Sequence, residues 1–168
     1  MFKVISLKKI IKIVFIMYIL FLVYVLFFKA KYRLSINISF LSNEHIDYCL
    51  NLKLFATIKR YIKAYINHNV KLSVVLENIL GNFILFMPFS VFANYRFPKL
   101  NIFRFSIILL SITVSVEFLQ FILMIGIADI DDIFLNFTGA ILIFILIRFF
   151  KYLNCLKLLR KNKVSCKS

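Results

Sequence analysis

The sequence predicts an all-α fold: a polytopic helical membrane protein with four transmembrane helices plus an amphipathic extracytoplasmic helix. Three observations predict it. Hydrophobic residues make up 62% of the 168, and 21 are Phe, where a soluble domain is nearer half apolar. The apolar residues fall in four continuous runs of bilayer-spanning length, without the alternation of barrel strands. Gly and Pro number only 3 and 2, so turn and linker material is scarce. The chain reads as a single domain over residues 1–168.

The first span is expected at about residues 10–28. Lys3, Lys8, Lys9 and Lys12 precede it, as in a signal sequence. No small-x-small cleavage site follows, and the chain continues FFKAKYR, so the segment reads as a retained helix. Residues 29–71 form the one long polar section, taken as extracytoplasmic. Within it SINISF, Ser35–Phe40, alternates and reads as a short strand or extended chain. Further on, Leu54, Ile58, Tyr61, Ile62, Tyr65 and Ile66 share a helical face, with Lys53, Lys59, Arg60 and Lys63 towards the other side. That pattern fits a helix in the headgroup layer or one packed on the bundle.

The second span covers residues 72–93. Pro88 removes a backbone donor and should kink it near its far end. Gly81 should permit close helix approach. The third and fourth spans are expected at 105–127 and 133–150, with a basic tail over 151–168. Cys49, Cys155 and Cys166 have no CxxC or metal spacing, and the last two lie in a tail expected to be reduced. His45 and His68 have no ligand spacing and read as surface residues.

The formal charge is +15, with seven acidic residues. The N-terminal lysines, the Arg96/Lys99/Arg104 connection and the tail hold no Asp or Glu. The positive-inside rule therefore places both termini in the cytoplasm. The basic excess suits anionic membrane lipids as partners. Nucleic-acid binding would need a soluble basic face, and none is evident.

Five polar residues, Glu117, Gln120, Asp129, Asp132 and Asn136, fall in or beside membrane-grade sequence around the acidic turn, and Asn78 and Asn82 lie in the second span. At ~1.5 Å per residue, Asn78 and Asn82 lie roughly 9 and 15 Å below the outer start of the second span. Gln120 and Glu117 lie about 10 and 15 Å below the outer end of the third, and Asn136 roughly 6 Å below Asp132. Asn78 and Asn82 are i,i+4, and Glu117 and Gln120 are i,i+3. Asp129, Asp132, Asn136 and Ala140 share one stripe, with Gly139 beside it. Asp131 points away and is expected to face solvent. Asp132 is placed to cap the fourth helix. These positions predict an outward-open polar pocket walled by spans two to four and formed by Asn78, Asn82, Glu117, Gln120, Asp129, Asp132 and Asn136. The alternative is interhelical hydrogen bonding, worth on the order of 0.6 kcal/mol per bond.

These residues resemble the VanZ-like family. The similarity lies in three ordered motifs: Asn78, Leu80, Gly81, Asn82, Leu85, Phe86, Pro88 and Phe89; then Glu117 and Gln120; then Asp129, Ile130, Asp131, Asp132, Asn136 and Gly139. Asn51, Phe55, Thr57, Ile58 and Tyr61 are similar to the family's preceding segment. Ser90, Gly126 and Ile143 depart from its usual Gly, Arg and Gly. The resemblance implies an integral membrane protein of the bacterial cell envelope, and one family member is associated with resistance to the glycopeptide teicoplanin. It supplies no established reaction.

The first functional expectation is binding or shielding of an envelope lipid or lipid-linked cell-wall precursor in the plasma membrane. The second is a membrane enzyme acting on a lipid-linked or phosphate-containing substrate. There Glu117 is the candidate general acid or base, and Asp129 and Asp132 the candidate metal ligands. No nucleophile–base pair, HExxH or Gly-rich phosphate loop supports it. A transporter or channel subunit ranks third, because the inner halves of the spans offer little polar lining beyond Ser90, Ser106 and Ser111.

Overall fold

Four apolar helices carry the fold, and the computed structural model describes residues 2–29, 50–123 and 128–165. α1 (Phe2–Tyr24) runs into a π-helical turn, Val25–Lys29. β1 (Leu50–Asn51) precedes α2 (Ala56–Ile66), the amphipathic helix. The second span is split into α3 (Leu72–Leu85) and α4 (Met87–Arg96). α5 (Ile102–Ile122) follows, and β2 (Ala128–Asp129) leads directly into α6 (Ile130–Ser165). The Ser35–Phe40 segment and Gly126 lie outside the described residues.

The segments long and apolar enough to cross a membrane are Lys9–Phe27, Leu72–Arg96, Ile102–Ile122 and Ile130–Cys155. Only between 11% and 28% of the residues in their apolar windows are buried inside the protein. In water such exposure would be untenable; in lipid it is the solvated state, and this is a polytopic helical membrane protein. The fourth helix is longer than hydropathy predicts. It begins at Ile130, inside the acidic motif, and continues to Ser165, because nothing in the basic tail breaks a helix.

The break in the second span falls at Phe86, with Pro88 in the first turn of α4. Proline cannot donate to the carbonyl four residues back and its ring crowds it. The Tyr18 hydroxyl donates to the Leu85 carbonyl at this break, at 3.0 Å. Asn101 starts α5 by accepting the Arg104 N–H at 2.8 Å.

α6 is the hub, packing against α3, α4 and α5. Gly139 makes the approach to α3 possible: a Cβ there would overlap the Phe83 carbonyl oxygen and lie 2.8 Å from its carbon. Gly81, expected to have that role, would have nothing within 4 Å of an added methyl group among the described residues. Ser90 donates to the Ala140 carbonyl at 2.6 Å, next to Gly139 on α6. The apolar centre gathers Leu22, Leu26, Phe86, Ala93, Phe105, Leu109, Ala140 and Phe144. Phe105 and Phe144 stack with centroids 4.1 Å apart.

The bundle has two distinct ends. At the basic end the Arg148 guanidinium donates to Asn94 Oδ1, Pro98 O and Leu100 O at 2.7, 2.6 and 2.7 Å. It also lies 5.1 Å from the Phe144 ring centroid. Lys151 donates to the Asn94 carbonyl at 3.1 Å. These cations satisfy carbonyls left over where α4 ends. Phe15 of α1 stacks on Phe92 of α4 towards this end. The start of α1 and the long extension of α6 therefore project from the same end.

Candidate functional site

At the other end the acidic turn is enclosed. Along α5 the buried residues are Phe105, Leu109, Thr113, Glu117 and Gln120, so the stripe that is apolar at one end turns polar at the other. Glu117 is 5% exposed. Its Oε2 accepts the backbone N–H of Asp129 at 3.1 Å, which fixes the start of the acidic turn against α5.

A parallel pairing of β1 with β2 closes over this point, with Leu50 opposite Ala128 and Asn51 opposite Asp129. The Asn51 amide donates to Asp129 Oδ1 at 3.0 Å and to Thr57 Oγ1 at 2.9 Å. Asp129 Oδ1 also accepts the Asp131 N–H at 2.9 Å. One carboxylate thus holds the turn and the segment before α2 together.

Asp131 does not face solvent; it is wholly buried. Its Oδ2 accepts the N–H groups of Thr57 and Ile58 at 2.8 and 3.1 Å, and its Oδ1 accepts that of Phe55. These are orphan donors of the first turn of α2, where the helix dipole also favours an anion. Phe55 adopts φ 64°, a left-handed conformation unusual for a non-glycine residue, and so turns its N–H to the carboxylate. Periodicity sets Asp131 towards solvent, but its carboxylate is covered by the first turn of α2, the same segment that Asp129 reaches through Asn51.

Asp132 is the third acidic group. The Asn82 amide donates to its Oδ1, linking α3 to α6. Asp132 lies inside the first turn of α6 and does not cap it, since the helix already starts at Ile130. Asn82 and Asp132 are both half-buried, unlike Glu117 and Asp129. Asn136, one turn along from Asp132, is 3% exposed, and its Oδ1 has no hydrogen-bond partner among the described residues.

Two of the predicted residues are engaged elsewhere. Gln120 donates to the Leu26 carbonyl at 2.7 Å, in the π-helical turn where the first span ends. It ties α5 to α1, because its face of α5 meets that helix. Asn78 donates to Val74 O in its own helix at 2.6 Å, at the exposed face of α3. Asn51 and Asp131 are the residues that periodicity did not place. The similarity of Asn51, Phe55, Thr57 and Ile58 to a family segment was the available signal, and these are the residues that dock on the acidic motif.

Of the two candidate metal ligands, Asp129 is bonded to Asn51 and to its own turn, and Asp132 to Asn82. Among the described residues no three His, Cys, Asp or Glu side chains gather as a metal-holding group. Among the described residues, the hydrogen-bond donors that meet Glu117, Asp129 and Asp131 are neutral amides.

Four apolar helices with a carboxylate cluster folded into one end define a multi-pass membrane protein with a buried acidic site. The chain belongs to the VanZ/LLP1 family, whose model matches residues 15–151 and so takes in every candidate residue above. No curated protein and no solved structure matches it.

Proposed function

We propose that this VanZ-like protein lies in the bacterial plasma membrane with both termini cytoplasmic, and binds or shields an envelope lipid or lipid-linked cell-wall precursor at its acidic, outward end. The observation that carries the reading is the contrast between buried and open members of one cluster. Glu117 and Asp129 are nearly inaccessible, whereas Asn82 and Asp132 stand half-exposed where α3 meets α6. Buried carboxylates cost free energy unless partnered, and membrane proteins keep them where they bind or conduct something.

Orientation follows the charge. Arg96, Lys99, Arg104, Arg148 and Lys151 crowd the basic end, which the positive-inside rule assigns to the cytoplasm. The acidic end then meets the outer leaflet. Lys53, Lys59, Arg60 and Lys63 stand exposed on and beside α2, at headgroup level. Ile62, Tyr65 and Ile66 are exposed as well, so α2 is docked by its N-terminus while its apolar side is left for lipid.

A protein that captures an outer-leaflet lipid can alter what a glycopeptide such as teicoplanin meets at the surface, and that is the setting in which its loss should show. The test is native mass spectrometry of protein purified with its membrane lipids. The wild type should retain one lipid class out of proportion to its abundance, and Asn82→Ala should release it. Retention that mirrors bulk lipid composition in both proteins would overturn the reading.

A further inference from the structure

At the basic end of the bundle, far from the acidic turn, a groove runs between the start of α5 and the later turns of α6. We infer that it seats one anionic phospholipid, with an acyl chain against its apolar wall and the phosphate beside Asn101 and Arg148. This site is separate from the binding proposed at the acidic end and does not rest on it.

The shape suits part of a lipid. Leu100, Asn101, Ile102, Phe144, Ile145 and Arg148 line a space of about 320 Å³. Ligand sites run from roughly 300 to 1,000 Å³, so this one takes a length of chain rather than a whole lipid. Its lining is divided in two. Phe144 is buried and makes the floor, while Ile102 and Ile145 are exposed walls within the apolar spans. Asn101, at the head of α5, and Arg148 supply a polar rim. An apolar trough that ends on a polar edge matches a molecule with a chain and a headgroup.

The charge selects the headgroup. Arginine is not deprotonated in proteins, so Arg148 carries its charge throughout. Every acceptor described for it is an uncharged oxygen: Asn94 Oδ1 and the carbonyls of Phe97, Pro98 and Leu100. These bonds occupy four of the five guanidinium donors and leave one on Nη1. Lys151, one turn further along α6, meets the Asn94 carbonyl, again uncharged. Lys99 and Arg104, on either side of Asn101 in the chain, are exposed.

Among the described residues, the carboxylates are Glu77, Glu117, Asp129, Asp131 and Asp132. None lies on α4, on the connection to α5, or on α6 beyond its first turn. The Asn101 oxygen accepts the Arg104 N–H, and its Nδ2 has no described partner, which adds a donor at the rim. A phosphodiester brings the acceptors and the negative charge that these groups lack. A choline headgroup brings the same phosphate with a cation attached, which Lys99, Arg104, Arg148 and Lys151 together repel.

The test titrates delipidated full-length protein in detergent with phosphatidylglycerol or phosphatidylcholine of identical acyl chains. Native mass spectrometry reads the first lipid bound. The wild type should bind phosphatidylglycerol about tenfold more tightly, as expected where basic side chains meet a net negative headgroup. Asn101→Asp keeps an acceptor at the helix start and sets a carboxylate on the rim, so the preference should vanish. Ile145→Trp fills the groove from an exposed wall and should reduce phosphatidylglycerol binding to the phosphatidylcholine level. Ile107→Trp, exposed elsewhere on α5, and Asn82→Ala, at the acidic end, should both keep the preference. Melting temperatures close to the wild type check that the variants fold.

Equal binding of the two lipids by the wild type would overturn the inference. A preference that survives either Asn101→Asp or Ile145→Trp would overturn it as well, since general surface charge would then account for the binding. Displacement of the lipid by excess inorganic phosphate would overturn the lipid as occupant and leave a site for free anions. Loss of the preference in Asn82→Ala would overturn the placement by moving it to the acidic end.

Discussion

The Asp131 carboxylate holds the Thr57 N–H at 2.8 Å across 74 residues of sequence. With the Phe55 and Ile58 contacts, this one side chain sets where α2 begins and fastens it to the head of α6. The helix otherwise has no buried residue of its own. Its hydrogen bonds to the acidic motif all come from its first turn and the residue before it.

Asp131→Ala should therefore release α2 while leaving the four spans packed. Charge-assisted hydrogen bonds of this kind contribute roughly 1.5–3 kcal/mol each, with neighbouring bonds to one carboxylate far from additive. Limited proteolysis in detergent is the check. Cleavage between residues 53 and 66 should accelerate at least tenfold, with the melting of the bundle shifted much less. Asp131→Asn, which loses the charge and one acceptor, should fall between.

Gly139 and Gly81 offer a paired test of helix contact. Gly139→Ala would drive a methyl into the Phe83 carbonyl, whose backbone cannot yield without moving α3. Overpacking of this sort costs about 1–3 kcal/mol or more. Gly81→Ala meets open space and should be neutral or stabilising by up to about 1 kcal/mol through helix propensity. Denaturation in mixed micelles should separate the two variants clearly.

Arg148→Lys tests the basic end. A lysine has one nitrogen where the guanidinium uses three on Asn94, Pro98 and Leu100. The substitution should lower the melting temperature measurably, although the charge is kept. Arg148→Met should lower it further by leaving the Asn94 oxygen buried and unpaired.

Topology is open to direct labelling. Cys155 is a free, exposed thiol on the α6 extension. In a variant carrying Cys49→Ser and Cys166→Ser, a membrane-impermeant maleimide applied to intact cells should leave Cys155 unlabelled until the membrane is opened. A cysteine placed at Lys63, on α2, should label from outside at once.

Much of this fold was legible because hydropathy in a membrane protein reports the environment directly. The four runs became four spans, and Pro88 marked the break in the second. Depth arithmetic brought Asn82 to Asp132 and Glu117 to the acidic turn, since rise per residue fixes height in a helix. What it could not fix was azimuth relative to a particular neighbour. Gln120 shares a face with Glu117, yet it reaches α1, and Gly81 faces open space among the described residues. Periodicity assigns Asp131 to solvent because its cover, α2, comes from far away in the chain, where local pattern carries no information. The β1–β2 pairing is two residues long and leaves no alternating pattern to read.

The central claim, that the α3–α6 mouth admits a chosen lipid, is tested most directly by photocrosslinking in native membranes. A diazirine amino acid would replace Asn82 at the mouth in one variant and lipid-facing Ile107 on α5 in another, with the captured lipids identified by mass spectrometry. The account predicts one lipid class strongly enriched at position 82 and the bulk mixture at position 107. The same bulk mixture at both positions would contradict it.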